Sequence, residues 1–97
     1  MPDVRSAGRY LVPIKMESDR DTGMFTWHCR VEEVDAQGNV QQGPIKLWGG
    51  DSEMLVSKHS GSHQDFLVNY VKPLALTHYA AWTASHSEAK SLEGSSL

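Results

Sequence analysis

The clearest pattern in the chain is a run of alternating apolar and polar residues. Phe25, Trp27, Cys29 and Val31 alternate with polar or charged positions. A period of two is typical of a β-strand, and aromatic and β-branched residues on one side suit a strand with a single buried face. The run predicts a strand whose odd-numbered side chains face the core.

A second alternating run precedes this strand. Tyr10, Val12, Ile14 and Met16 recur at period two, which predicts a first strand with these four side chains on its buried face. Pro13 lies inside the run and has no N–H to donate, so we expect this strand at an edge of the sheet. The polar stretch 17–23 predicts the connecting hairpin loop.

A third strand is predicted from Val40 to about residue 48, after a turn at 35–39. A three-residue loop at 37–39 places Val31 opposite Ile45 and Cys29 opposite Leu47, so that all four share the core face. A bulge at Gly43-Pro44 would change this register.

Residues 53–58 are ambiguous from the sequence alone. They fit a short fourth strand, which we favour, or a short helix that Asp51 would cap. Ser62 and Asp65 then predict the start of a longer helix. An apolar stripe at helical spacing follows, made of Phe66, Leu67, Tyr70, Val71, Leu74, His78, Ala81 and Trp82.

Pro73 interrupts this stripe and removes one helical hydrogen bond. Either one helix is kinked there or two helices meet, and the unbroken stripe favours the kink. The whole pattern predicts an α+β fold, a three- or four-stranded antiparallel β-meander with a C-terminal, Pro-kinked helix packed on one face. We expect a flexible N-terminus at 1–8, a single domain at 9–84 and a flexible, Ser-rich tail at 85–97.

Charge and cysteine content narrow the classes of function. A formal net charge of −3 over 97 residues, with no stripe of Lys or Arg, argues against nucleic acid as a partner. The single cysteine, Cys29, favours a reducing compartment, which we take to be the cytoplasm. No apolar run reaches the roughly 18 residues that span a bilayer, so we expect no membrane partner.

We predict no catalytic set, metal site or cofactor from this sequence. Cys29 and His28 are neighbours on a strand and point to opposite faces, so they do not form a nucleophile–base pair. His59 and His63 are four residues apart, but Ser60-Gly61 lies between them and argues against one continuous helix. A solvated loop is the simpler interpretation of that pair.

The predicted register places an apolar and basic patch on the outer face of the sheet. It predicts a non-enzymatic interaction domain that binds a protein partner or a second copy of itself. The residues of this outer-face hypothesis are Trp48, His28, Arg30, Lys46 and Leu11.

The alternative hypothesis is a small-ligand or enzymatic cleft near the start of the helix. His59, His63 and Asp65 would line it, with Asp51 as a further candidate. An anion is the natural ligand there, because helix N-termini favour negative charge.

Overall fold

The computed structural model describes residues 5–93, and side chains through residue 88. Four strands form one antiparallel sheet, and a C-terminal helix packs on one of its faces, which confirms the predicted α+β meander. In chain order the elements are β1 (Gly8–Asp19), β2 (Met24–Val34), β3 (Val40–Gln42), β4 (Lys46–Asp51), α1 (Ser52–His59), α2 (His63–Asp65), a π-helical turn (Phe66–Val71) and α3 (Lys72–Glu93).

β2 is the centre of the sheet and pairs with each of the other strands. β1 lies along one side of it, while β3 and β4 follow each other along the other side. Phe25, Cys29 and Val31 are buried and belong to the cluster that packs against the helix. The predicted core face of β2 is therefore confirmed.

The predicted register of the third strand is wrong, by two residues in β3 and by one residue in β4. β3 pairs Val34 with Val40, whereas β4 pairs Cys29 with Lys46 and Trp27 with Trp48. Between them, residues 43–45 face only two residues of β2, so this bulge reverses the direction of every later side chain. Lys46 and Trp48 consequently lie on the helix-facing side, and Leu47 lies on the outer face.

Local chemistry explains why the bulge forms at Gly43-Pro44. The Gly43 N–H donates to the Val31 carbonyl at 2.9 Å, which keeps the chain attached to β2. The Tyr79 ring lies against Gly43 so closely that a Cβ there would be 2.8 Å from a ring carbon. Pro44 has no N–H and cannot continue the ladder.

β1 contains a similar irregularity, which corrects its predicted buried face. Its register shifts between Pro13 and Lys15, and Leu11 lies opposite Val31 on the helix-facing side. Among the predicted core residues, Ile14 lies at the shift and is 43% exposed, whereas Met16 keeps the helix-facing side opposite Trp27 but is 38% exposed. The edge position inferred from Pro13 is confirmed, because β1 pairs only with β2 in the described sheet.

Residues 53–58 form a helix, so our preference for a strand is wrong and the capped helix is the correct alternative. The Asp51 carboxylate accepts the Met54 N–H at 2.7 Å and caps α1. Ser60 adopts the left-handed conformation at the end of this helix, with φ 54°. Because Ser60 and Gly61 turn the chain there, α2 starts only four residues after α1 ends.

The C-terminal helix passes through Pro73 without ending. The residues before it form a π-helical turn, in which the Lys72 N–H donates to the Leu67 carbonyl five residues back. This wide turn brings Phe66 and Val71 to the same face, where Ala75 and Tyr79 follow as buried residues. The stripe predicted at ordinary helical spacing is therefore partly wrong. Its members Tyr70, Leu74 and Ala81 are exposed.

The helix also extends beyond the predicted domain end at residue 84. α3 continues to Glu93, nine residues farther along the chain. Flexibility of the tail at 85–97 stays a prediction, as does that of the N-terminus. Residues 1–4 and 94–97 lie outside the described part of the chain.

The corrected register predicts opposite effects for two adjacent substitutions. Trp48→Ala should lower the free energy of unfolding by about 2 kcal/mol or more, because Trp48 packs against the core. Leu47→Ala should change it by less than about 0.5 kcal/mol, because Leu47 is 56% exposed. Urea denaturation followed by circular dichroism measures both. If Trp48→Ala left the free energy of unfolding unchanged while Leu47→Ala lowered it, the register predicted from the sequence would be the correct one.

Candidate functional site

An open groove runs between the edge strand β1 and the first turns of the C-terminal helix. Its volume is about 440 Å³, within the range of about 300 to 1,000 Å³ common for small-molecule sites. β1 forms one wall, the helix forms the other, and β2 lies between them. The apolar lining consists of Leu11, Pro13, Trp27, Leu67 and Val68.

The β1 bulge is what makes this groove apolar. Leu11 and Pro13 lie opposite Val31 and Cys29, so both share the helix-facing side of the sheet. In the register predicted from the sequence, both would have faced away from the helix. The apolar patch attributed to the outer face is thus partly a wall of this groove.

A hydrogen bond between Trp27 and His63 ties β2 to the helix within the groove. The Trp27 indole N–H donates to His63 Nδ1 at 3.0 Å. Since an indole can only donate, Nδ1 must accept, and the neutral imidazole carries its proton on Nε2. The ring of Phe25 meets the His63 ring edge to face, with centroids 4.9 Å apart. The side chain of His63 is thus held by two residues of β2.

The start of the helix positions His63. Ser62 caps it, as predicted: its hydroxyl accepts the Asp65 N–H at 3.1 Å, and its carbonyl accepts the Phe66 N–H at 3.1 Å. His63 is therefore the first helical residue. It lines both the groove and a neighbouring hollow of about 240 Å³ that includes Met16 and Leu55.

Most polar side chains of the groove lining come from the helix, and Tyr10 of β1 adds a hydroxyl that donates to the Ser6 carbonyl at 2.7 Å. The polar side chains of the helix belong to His63, Gln64 and Lys72. None of the described ion pairs involves Lys72. No aspartate or glutamate is among the described residues that line the groove. The groove therefore combines an apolar interior with a cationic group.

The other members of the predicted cleft have different neighbours from His63. His59 is buried at the end of α1, and its Nδ1 lies 3.4 Å from a carboxylate oxygen of Asp65. Its ring packs edge to face on Phe66, with centroids 5.4 Å apart. This contact fastens α1 to α2, while Asp51 is occupied as a helix cap. The residues that the structure describes contain no group of three or more side chains suited to a metal ion.

Three of the five residues in the outer-face hypothesis do not lie on the outer face. Trp48 and Lys46 face α3, and the Lys46 ammonium lies 5.3 Å from the centroid of the Trp48 ring. Both line a narrow recess together with Ala75 and His78 of α3. Leu11 lines the groove instead. This part of the prediction is corrected, because it depended on a register that the bulges change.

His28 and Arg30 remain on the outer face, where nearby carboxylates meet them. His28 Nε2 lies 3.3 Å from Glu17, and Arg30 Nε lies 3.4 Å from Glu32. The pKa of Glu17 is lowered, first by Lys15 and then by His28. The basic character expected for this face is thus offset by its own acidic residues.

Cys29 lies where the sequence predicts it. It is 1% exposed, and burial raises the pKa of its thiol. It faces the helix, while His28 faces outward, opposite Leu47. A thiol in such surroundings behaves as a small apolar side chain.

The groove residues Trp27, Leu67, Val68 and Lys72 were not predicted as site residues. The alternation along β2 predicts that its odd-numbered side chains face the helix, and this pattern placed Trp27 there. The pattern did not reveal that Trp27 would be only partly covered there.

Comparison with known proteins identifies no relative. No protein-family model matches the chain, and neither a curated protein nor a solved structure shows significant similarity to it. None of the described helices is long and apolar enough to cross a membrane.

The Trp27–His63 hydrogen bond should contribute measurably to stability. Trp27→Phe and His63→Phe should each lower the free energy of unfolding by about 1 kcal/mol, since each leaves a partner unpaired. The double variant should lose about 1 kcal/mol less than the sum of the two single variants. Chemical denaturation of the four proteins measures this coupling.

Trp82→Phe is the matched control for the loss of an indole. Trp82 is partly buried, and its N–H has no hydrogen-bond partner in the described contacts. A coupling energy near zero between Trp27 and His63 would contradict the hydrogen bond.

Proposed function

We propose that this protein is a non-catalytic binding domain that holds a small, largely apolar molecule in the groove between β1 and the helix. The observation that carries the proposal is the combination of about 440 Å³ of open volume with an apolar lining from three separate elements. Sites for small molecules are typically concave and apolar, with a few polar groups that fix orientation. The groove meets this description with His63, Gln64 and Lys72.

Preorganisation of the groove supports the proposal. Trp27 is anchored to His63 by a hydrogen bond, and His63 is held by the ring of Phe25. A ligand that stacks against Trp27 therefore spends little free energy on ordering that side chain. The buried thiol of Cys29, with its raised pKa, favours binding over nucleophilic chemistry. The lone cysteine also favours a reducing, cytoplasmic setting.

The test is a titration with the neutral fluorescent probe N-phenylnaphthylamine, whose emission rises in apolar sites. Val68→Glu should weaken binding of the probe at least fivefold, about 1 kcal/mol, because it places a charge at the apolar wall. Val68 is 49% exposed, so this substitution should leave the fold intact.

Val56→Glu is the matched control for this experiment. Val56 is 66% exposed on α1 and does not line the groove, so its variant should bind the probe like the wild type. Circular dichroism verifies that both variants are folded. Equal binding by the two variants, or no binding by the wild type, would contradict the proposal.

Self-association is a second candidate, and the free edge at β4 favours it. β4 pairs only with β2 in the described sheet, which leaves its other edge unpaired. Ile45 and Leu47, at this edge, are 51% and 56% exposed. The edge at β1 is less suited to pairing, because Pro13 and the bulge interrupt it. A second copy could pair with β4 around a two-fold axis.

Sedimentation velocity tests this candidate. The wild type should become dimeric as its concentration rises, and Leu47→Lys should shift the equilibrium toward monomer, because it places a charge in the contact. Val56→Lys, on the exposed side of α1, should leave the equilibrium unchanged. A wild type that stays monomeric at the highest concentration would eliminate self-association.

A further inference from the structure

The charge of the groove differs from that of the whole chain. The chain has 12 acidic residues against nine lysines and arginines. The described residues that line the groove nonetheless include Lys72 and no acid. The described lining of this groove thus carries a cation without an acid, although the chain has an excess of acids, which makes the groove complementary to an anion.

The polar side chains that the helix contributes to the groove are suited to donate hydrogen bonds. Nδ1 of His63 accepts from Trp27, so the remaining ring nitrogen carries a proton. Lys72 contributes an ammonium group, which has three donors and no acceptor. Gln64 contributes an amide that donates through its NH₂ group. A carboxylate, which only accepts, fits this set better than a hydroxyl or an amine does.

Lys72 is available for such a contact. The described ion pairs occupy Arg9, Lys15 and Arg30 but not Lys72. Its side chain is exposed and contributes to the lining of the groove. A ligand anion can therefore approach its ammonium without displacing a carboxylate of the protein.

We infer that the natural ligand is an amphipathic carboxylic acid, with its apolar body against Trp27 and Leu11 and its carboxylate at Lys72. This inference rests on the proposed function, because it assigns a chemical class to the occupant of the same groove. A compact aromatic or branched acid suits a groove of about 440 Å³.

The experiment compares phenylbutyrate with phenylbutyramide, which share an apolar body and differ in charge. Isothermal titration calorimetry at neutral pH and low salt should show the acid binding about fivefold more tightly than the amide, the strength of a partly exposed ion pair. Lys72→Met keeps most of the aliphatic stem and removes the charge. It should abolish the preference for the acid while leaving affinity for the amide unchanged.

Lys58→Met is the matched control. Lys58 is exposed on α1, does not line the groove and belongs to none of the described ion pairs, so its variant should keep the preference for the acid. Raising the salt concentration should narrow the difference between acid and amide in the wild type.

The outcomes separate this inference from the proposed function. A preference for the acid that survives Lys72→Met would overturn the placement of its carboxylate at Lys72. Equal affinity for acid and amide would overturn the anionic class and leave a neutral apolar site. The same conclusion follows if N-phenylnaphthylamine binds and neither phenylbutyrate nor phenylbutyramide does. If none of the three compounds binds, the proposed function fails and the inference fails with it.

Discussion

Packing between alternate residues of β2 and the C-terminal helix is the contact on which the rest of the structure depends. Phe25, Cys29 and Val31 meet Phe66 and Tyr79 in one buried cluster. Because β2 also pairs with each of the other three strands of the described sheet, its side chains determine where the sheet lies relative to the helix. The hydrophobic effect drives this contact, and the hydrogen-bonded ladders transmit its geometry to the sheet edges. Both the groove and the free edge at β4 follow from it.

The sequence pattern predicted β2, the fold class and the helix start, but it failed wherever one extra residue entered an element. A bulge after Pro13 turns Leu11 inward, and a bulge at Gly43-Pro44 does the same for Trp48. The five-residue step from Phe66 to Val71 shifts the helical stripe in the same way. Periodicity shows which residues are apolar. One extra residue in a strand reverses the face of every later side chain, and one in a helix rotates the apolar stripe beyond it. A proline lies at or just after each of the three places, at Pro13, Pro44 and Pro73, but it does not indicate how many residues are added there.

The candidate site could be predicted only in part, for the same physical reason. His63 was expected near the helix start, and the Ser62 cap places it there. His59 and Asp65 were grouped with it by closeness in sequence, but they join α1 to α2 instead. The groove itself needs the inward direction of Leu11, which only the paired strands define. Its second wall depends on how the π-helical turn orients the helix, which propensity does not reveal.

The roles of the groove residues differ, and this decides which substitutions can inform on function. Trp27 packs against the core and bonds to His63, so changing it alters stability and the groove together. Val68 and Lys72 lie on the exposed side of the helix wall and support no described contact of the core. A binding change at these two positions is therefore attributable to the groove rather than to loss of fold. The geometry separates the residues that stabilise the fold from those that would bind the ligand. β2 holds the aromatic surface in place, and the helix presents the groups that would select the ligand.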